Sequence, residues 1–424
     1  MTSSTPPRWI GLLHTLLVVG GCALLLVLLR MASAPVLALL RQSAIEPVGV
    51  AAYWITGGAV LIGAPLAGWW ADTAGRPTAL VVGVGFVAAS LALMPWLREQ
   101  AWVVLYSLLT FGVVLTGLAA TTTLAVLARR VALALVLAFG LPFVRVTPAL
   151  PAGMRPLLGM GERAFVVLAL GLIIVAALPL LALALARAIG RRQHLDESGA
   201  DRVPAGTGGT GRAPARPGDV PVVPALAIVA TAGWLGQVGA AMVDVNRTLP
   251  AMEGQVIWSF VILTGSGLAG YVWALASDVT THPTWSARGA LPPAIFVAAT
   301  LGVFAAGAIL MTVASGRPLL NAGLFVAGFG LGGVVPLATA AVLRGTSPLR
   351  WSLALGIAVA AFAFGQTAGA RLNVYLAAWF GAPGPIALSA LVAGAAAWWV
   401  LATMRRRPGT GADSTGPATI TAGR

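Results

Sequence analysis

Apolar runs of membrane-spanning length, separated by short polar breaks, repeat along almost the whole chain. A helix needs about 20 apolar residues to cross a bilayer core. On that measure the pattern predicts spans over residues 10–40, 48–71, 78–97, 102–128, 131–149 and 164–186, with Arg30 and Pro35 interrupting the character of the first. From Arg187 to Val220 the pattern fails, because the stretch is rich in Gly, Pro, Arg and Asp and has no apolar period. Such a segment cannot bury enough surface to fold and reads as a flexible linker. Six further runs follow, over residues 221–245, 256–276, 291–313, 319–343, 349–379 and 385–404, and the tail from Arg405 is polar and expected to be disordered. The expected fold class is an all-α integral membrane protein: twelve transmembrane helices in two six-helix bundles, residues 1–186 and 221–404, joined by the linker.

Composition agrees and removes competing classes. Of the 424 residues, 58% are hydrophobic and only 9% charged, and mean hydropathy is +0.92. A soluble domain carries about 25% charged residues, so this chain has too few to face water. Every one of the 26 basic residues is arginine. A net charge of +14 points first to nucleic acid, but the arginines sit singly or in short groups between apolar runs, as membrane topology requires. With both termini in the cytoplasm, seventeen arginines fall on that side and six on the other, with Arg30, Arg145 and Arg371 inside spans. Setting aside linker and tail arginines beyond Arg192 and Arg407 leaves thirteen against six, so both termini are expected in the cytoplasm. Cys22 is the single cysteine, and His14, His194 and His282 lie far apart, so no disulfide framework or metal-ligand spacing is present. No phosphate-binding loop for ATP appears either. The first apolar run exceeds the core of a signal peptide and reads as a retained helix.

The break between the second and third spans is the most specific signal. The stretch GAPLAGWWADTAGRPTAL (Gly63–Leu80) places Gly68, Asp72, Gly75, Arg76 and Leu80 around a turn of a few residues. It resembles the loop between helices two and three of the major facilitator superfamily, with its pattern G-x-x-x-D-x-x-G-R and an apolar residue four positions after the Arg. The resemblance implies two pseudo-symmetric six-helix bundles around a central cavity. It also implies that Asp72 lies near the cytoplasmic start of the eleventh helix and latches the halves in one state. That helix is expected to begin near Ser347-Pro348, a good N-cap followed by a first-turn proline, and a carboxylate is favoured beside a helix N-terminus. The plain alternative is a topology signal plus a turn. In the second half, LAGYVWALASD (Leu268–Asp278) echoes LAGWWAD (Leu66–Asp72), making Asp278 the counterpart of Asp72, although Arg288 follows by ten residues rather than four.

Few residues inside the spans can carry chemistry. Arg30 is costly in lipid unless it faces a cavity or partner, and the alternative is that it snorkels to the interface. RMASAPVLALLR (Arg30–Arg41) resembles the first-helix element R-F-A-Y-x-x-L-L-P-x-M of the bacterial YbfB/YjiJ-like branch, with Met31 and Ser33 in place of its aromatic pair. FGQTAGARL (Phe364–Leu372) resembles the G-Q-x-x-G-P element of the same branch, so Gln366 is either a substrate contact or interhelical glue. Gln237 in the seventh span and Arg145, between Pro142 and Pro148, complete the cavity candidates. Asp244 is an acid near the membrane away from a cytoplasmic loop, able to carry a coupling proton if buried and a solvated helix end if not. Thr116 and Thr121–Thr123 are read as bonding their own backbone, without further role. The tryptophans, near span ends, read as an aromatic belt.

The expectation is a secondary transporter of the bacterial cytoplasmic membrane, not an enzyme, working by alternating access without cofactor or metal. Its partners are a small-molecule substrate, lipid and a coupling proton; no nucleic acid is implied, and the chain is expected to act as a monomer. Few and mostly neutral cavity candidates lean toward export of amphipathic compounds. Uptake of a small polar or anionic solute, or a sensor without flux, remain alternatives.

Overall fold

In the computed structural model, residues 8–42, 46–96, 99–127, 163–198, 220–245, 261–263, 265–274, 293–314, 316–381 and 383–405 are described. They are helical almost throughout. In chain order the helices are α1 (Arg8–Gln42), α2 (Glu46–Thr73), α3 (Arg76–Leu93), α4 (Glu99–Leu127), α5 (Arg163–Ser198), α6 (Val222–Val245), α7 (Val261–Ala274), α8 (Pro293–Thr312), α9 (Arg317–Arg344), α10 (Trp351–Phe380) and α11 (Pro383–Arg405). Among the described residues, seven helices are long and apolar enough by themselves to cross a membrane. The eleven match the expected spans other than the fifth, residues 131–149, which lies outside the described residues.

Four helices depart from the expected boundaries. α1 runs unbroken through Arg30 and Pro35 to Gln42. α5 continues to Ser198, twelve residues past Ala186 and into the expected linker. Its extension, RAIGRRQHLDES, is polar but rich in strong helix formers, and polarity alone does not end a helix. α2 and α4 begin at Glu46 and Glu99, two and three residues ahead of the expected spans.

Lipid offers no hydrogen bonds, so backbone and hydroxyl groups must be satisfied internally. Ser90, Thr110, Thr116 and Thr121 do this by donating to the carbonyl four residues earlier, at 2.7–2.8 Å. Small residues then bring helix backbones together. A Cβ on Gly307 would collide with the Ala327 amide, joining α8 to α9, and one on Gly332 with the Gly267 carbonyl, joining α9 to α7. α9 is the most enclosed span, with 83% of its apolar window buried against 33% for α5. α5 instead turns Leu170, Ile174, Leu178 and Leu181 outward, as a lipid-facing helix should. Trp96, Trp379 and Trp398 are exposed toward helix ends, in keeping with an aromatic belt.

α10 organises the junction between the two halves. It packs along α2 of the first half and α6 of the second, and touches α4. The junction with α2 is where the site forms.

Candidate functional site

The turn after α2 is built by Gly75, whose φ of 91° is open to glycine at little cost. Pro77 then sits in the first turn of α3, where a missing amide hydrogen costs nothing. This leaves Asp72 in the last turn of α2 and Arg76 at the first residue of α3. Both are charges at the wrong end of their own helix: a carboxylate at a C-terminus and a cation at an N-terminus. Their partners resolve the conflict. Arg76 Nη2 lies 3.9 Å from Asp72 Oδ1, and the Asp72 side chain is only 9% exposed.

The stronger partner is α10. Asp72 Oδ1 accepts from the Ser352 amide at 3.2 Å, and Oδ2 accepts from the Leu353 amide at 2.8 Å. These are the second and third residues of α10, whose amides have no intrahelical acceptor. Arg350, at the N-cap position of α10, supplies no side-chain cap. Asp72 therefore caps α10 from the other half of the molecule, with the geometry an N-cap aspartate would use within its own chain segment. Hydrogen bonds to a charged acceptor contribute about 1.5–3 kcal/mol each, and the α10 dipole adds up to about 2 kcal/mol.

Ser347, expected as that partner, is displaced from it. Pro348 starts a 3-10 turn over Pro348–Arg350, and α10 begins only at Trp351. Ser347 precedes that turn, makes no side-chain cap, and accepts the Arg350 amide on its carbonyl at 2.9 Å. The Asp72 contacts fall on Ser352 and Leu353, five and six residues beyond Ser347.

The close approach is set by glycine. A Cβ on Gly68 would collide with the Ser352 carbonyl, and one on Gly356 with the Ala64 carbonyl. On α2 the residues meeting α10 are thus Ala64, Gly68 and Asp72, spaced by four along one face. One further contact escaped the reading of the sequence. Thr122 of α4 donates to the Leu118 carbonyl at 2.8 Å, as expected, but its Oγ1 also lies 3.1 Å from Ser352 Oγ, and both residues are fully buried. A pair 230 positions apart leaves no local signal.

Behind this contact lies an apolar cavity of about 110 Å³, lined by Leu26 of α1, Val114, Gly117, Leu118 and Thr121 of α4, and Leu355 and Val359 of α10. Gln237 and Gln366 stand apart from it. They lie half-buried on the facing helices α6 and α10, where the Gln366 backbone meets Gly233. There Trp234 Nε1 donates to Asn373 Oδ1 at 2.9 Å, a buried pair that ties α6 to α10. Arg30 and Asp244 fall within α1 and α6, but their side chains lie outside the described residues, as do Arg145 and Asp278 altogether.

Three solved structures share the fold. The transporter FucP, in the outward conformation, superposes with a TM-score of 0.62 at 14% identity, covering 93% of this chain and 98% of that one. The chain has the fold of the major facilitator superfamily. The human organic anion transporter MFSD10 (TETRAN) gives 0.60 at 15% identity, with 93% and 100% covered. The proton:xylose symporter XylE bound to 6-bromo-6-deoxy-D-glucose gives 0.55 at 15% identity, with 93% and 95% covered. No family model matches the sequence, and no curated protein matches it. The major facilitator likeness therefore lies in the path of the backbone and in the short Asp72 loop, not in the sequence at large.

Proposed function

We propose that the chain is a secondary active transporter that carries a small molecule across the membrane by alternating access. The observation that carries this reading is the Asp72 carboxylate of one half capping α10 of the other. A contact made of hydrogen bonds at a helix end is releasable, because water satisfies the carboxylate and the amides once they part. In this reading the described conformation is latched on the Asp72 side, and the arginine distribution makes that side cytoplasmic. FucP in its outward conformation supports the assignment of an outward-facing state. Asp278 is the degenerate counterpart of Asp72 in the second half.

Coupling to protons is supported by the similarity to symporters, FucP and XylE, described as proton-coupled. Asp244 is the residue proposed to carry the proton. The apolar lining of the cavity favours an amphipathic cargo and export from a bacterial cytoplasmic membrane. A second reading, uptake of a polar or anionic solute, is favoured by the fucose, xylose and organic anion cargoes of the similar structures. There Arg30, Arg145, Gln237 and Gln366 are the residues proposed to contact the cargo. The test is flux into proteoliposomes under an imposed proton gradient, with a panel of neutral amphipaths, sugars and organic anions. Gradient-driven flux of one class that falls in Asp72→Asn, with ligand stabilisation of the purified protein retained, is expected. Ligand stabilisation with no flux of any class would contradict transport and indicate a sensor.

A further inference from the structure

Ser352 is joined to the first half of the molecule twice, and only one of these bonds involves Asp72. Its amide reaches Asp72 of α2, while its hydroxyl meets Thr122 of α4. Either hydroxyl of that second bond can be the donor. Thr122 has one hydroxyl hydrogen, and the carbonyl of Leu118, 2.8 Å away, can only accept it. In that arrangement Ser352 is the donor and Thr122 the acceptor.

The consequence is asymmetric. If α10 leaves α4, Thr122 keeps its bond to Leu118, but the Ser352 hydroxyl loses its acceptor in a fully buried position. An unpaired hydroxyl in an apolar interior is costly, so separation requires water to reach it. Neighbours of the pair line the apolar cavity. Leu118, whose carbonyl Thr122 holds, and Thr121 beside it both line that space, as does Leu355, three residues along α10 from Ser352.

We propose that the Thr122–Ser352 hydrogen bond is a second, inner latch. It closes the floor of the cavity against the Asp72 end and sets how often that end opens. Both residues are positioning residues, and the proposal rests on the alternating-access reading above.

Spin labels on Thr78→Cys of α3 and Leu349→Cys before α10, both exposed sites on opposite sides of the junction, report its opening by pulsed electron double resonance. Cys22 is fully buried and stays in place. Ser352→Ala and Thr122→Val are each expected to raise the ratio of long- to short-distance populations about two- to tenfold, the range of one net hydrogen bond. The double variant should do no more than either single one, because both delete the same bond. Thr122→Ser keeps the acceptor and should match the parent protein. A merely structural loss of packing would not be rescued in this way. Unchanged distances in both single variants, or a double variant equal to the product of the two, would overturn the proposal. Asp72→Asn in the same labelled protein separates the two readings. If it opens the junction and the hydroxyl variants do not, only the inner latch fails; if it too changes nothing, the outer latch fails.

Discussion

Toward α2, α10 offers Ser352 and Gly356; toward α6, it offers Gly365, Gly369 and Asn373. The two flanks share one packing device. On the first, Gly68 and Gly356 admit backbone against backbone, and on the second, Gly233 and Gly365 do the same against the Phe362 and Ala230 carbonyls. Their polar chemistry differs. The α2 flank concentrates its bonds at the start of α10, on the Asp72 carboxylate, which is 9% exposed in the closed junction and is hydrated only once the helices part. The α6 flank is fastened by Trp234 to Asn373, two largely buried side chains with Trp234 seated against Gly369. Close packing alone therefore does not distinguish a joint that opens from one that stays shut. The placement of the polar groups does: at the start of α10 water can replace each bond as the helices part, whereas deeper along the bundle the indole and the amide would be left in an apolar interior.

Bulk at the α2 flank should give an effect as large as any. In Gly68→Ala the new methyl meets backbone atoms of Ser352 and Leu353, which cannot rotate aside. Overpacking of this kind costs about 1–3 kcal/mol, enough to remove most of the closed population in the Thr78/Leu349 distance measurement. Gly236→Ala, with open space around its Cβ, should leave the distances unchanged. Equal behaviour of the two variants would break the comparison.

Asp72→Asn comes next. It keeps one acceptor and loses the charge, and about 1.5–3 kcal/mol of closed-state stabilisation should go with it. Proteoliposome flux should fall roughly tenfold or more, with thermal unfolding of the detergent-solubilised protein little changed. Asn373→Leu should do the reverse. It strands the Trp234 indole hydrogen, costs about 1–3 kcal/mol of stability, lowers the thermal midpoint and leaves the latch distances alone. An opened latch in Asn373→Leu would show that the α6 flank is not a fixed joint. The smallest effect is expected for Arg76→Gln. At 3.9 Å the Arg76–Asp72 pair is the longest of the Asp72 contacts, so flux should stay within a few-fold of the parent.

The same contrast explains what could be read from the sequence. Span positions were legible because lipid imposes length and apolarity: the expected span 48–71 became Glu46–Thr73, and 319–343 became Arg317–Arg344. The Asp72 turn was legible because its residues are contiguous. Its partner was legible only to the helix, since a proline can begin a 3-10 turn as readily as a helix, and here it moved the start of α10 to Trp351. The end of α5 was misjudged because polarity was read as disorder where helix propensity persisted to Ser198. Thr122 and Asn373 were invisible for another reason. Membrane threonines commonly bond their own backbone, and neither partner lies anywhere near in sequence.

The central claim is that Asp72 supplies the missing cap of α10 across the junction between halves. Hydrogen–deuterium exchange at the Ser352 and Leu353 amides tests it most directly, because neither amide has an acceptor within its own helix. In the purified full-length protein these amides should exchange slowly, and about tenfold or more faster in Asp72→Ala, while amides of α6 facing Gly365 keep their parent rates. Equal exchange at Ser352 and Leu353 with and without the carboxylate would contradict the account.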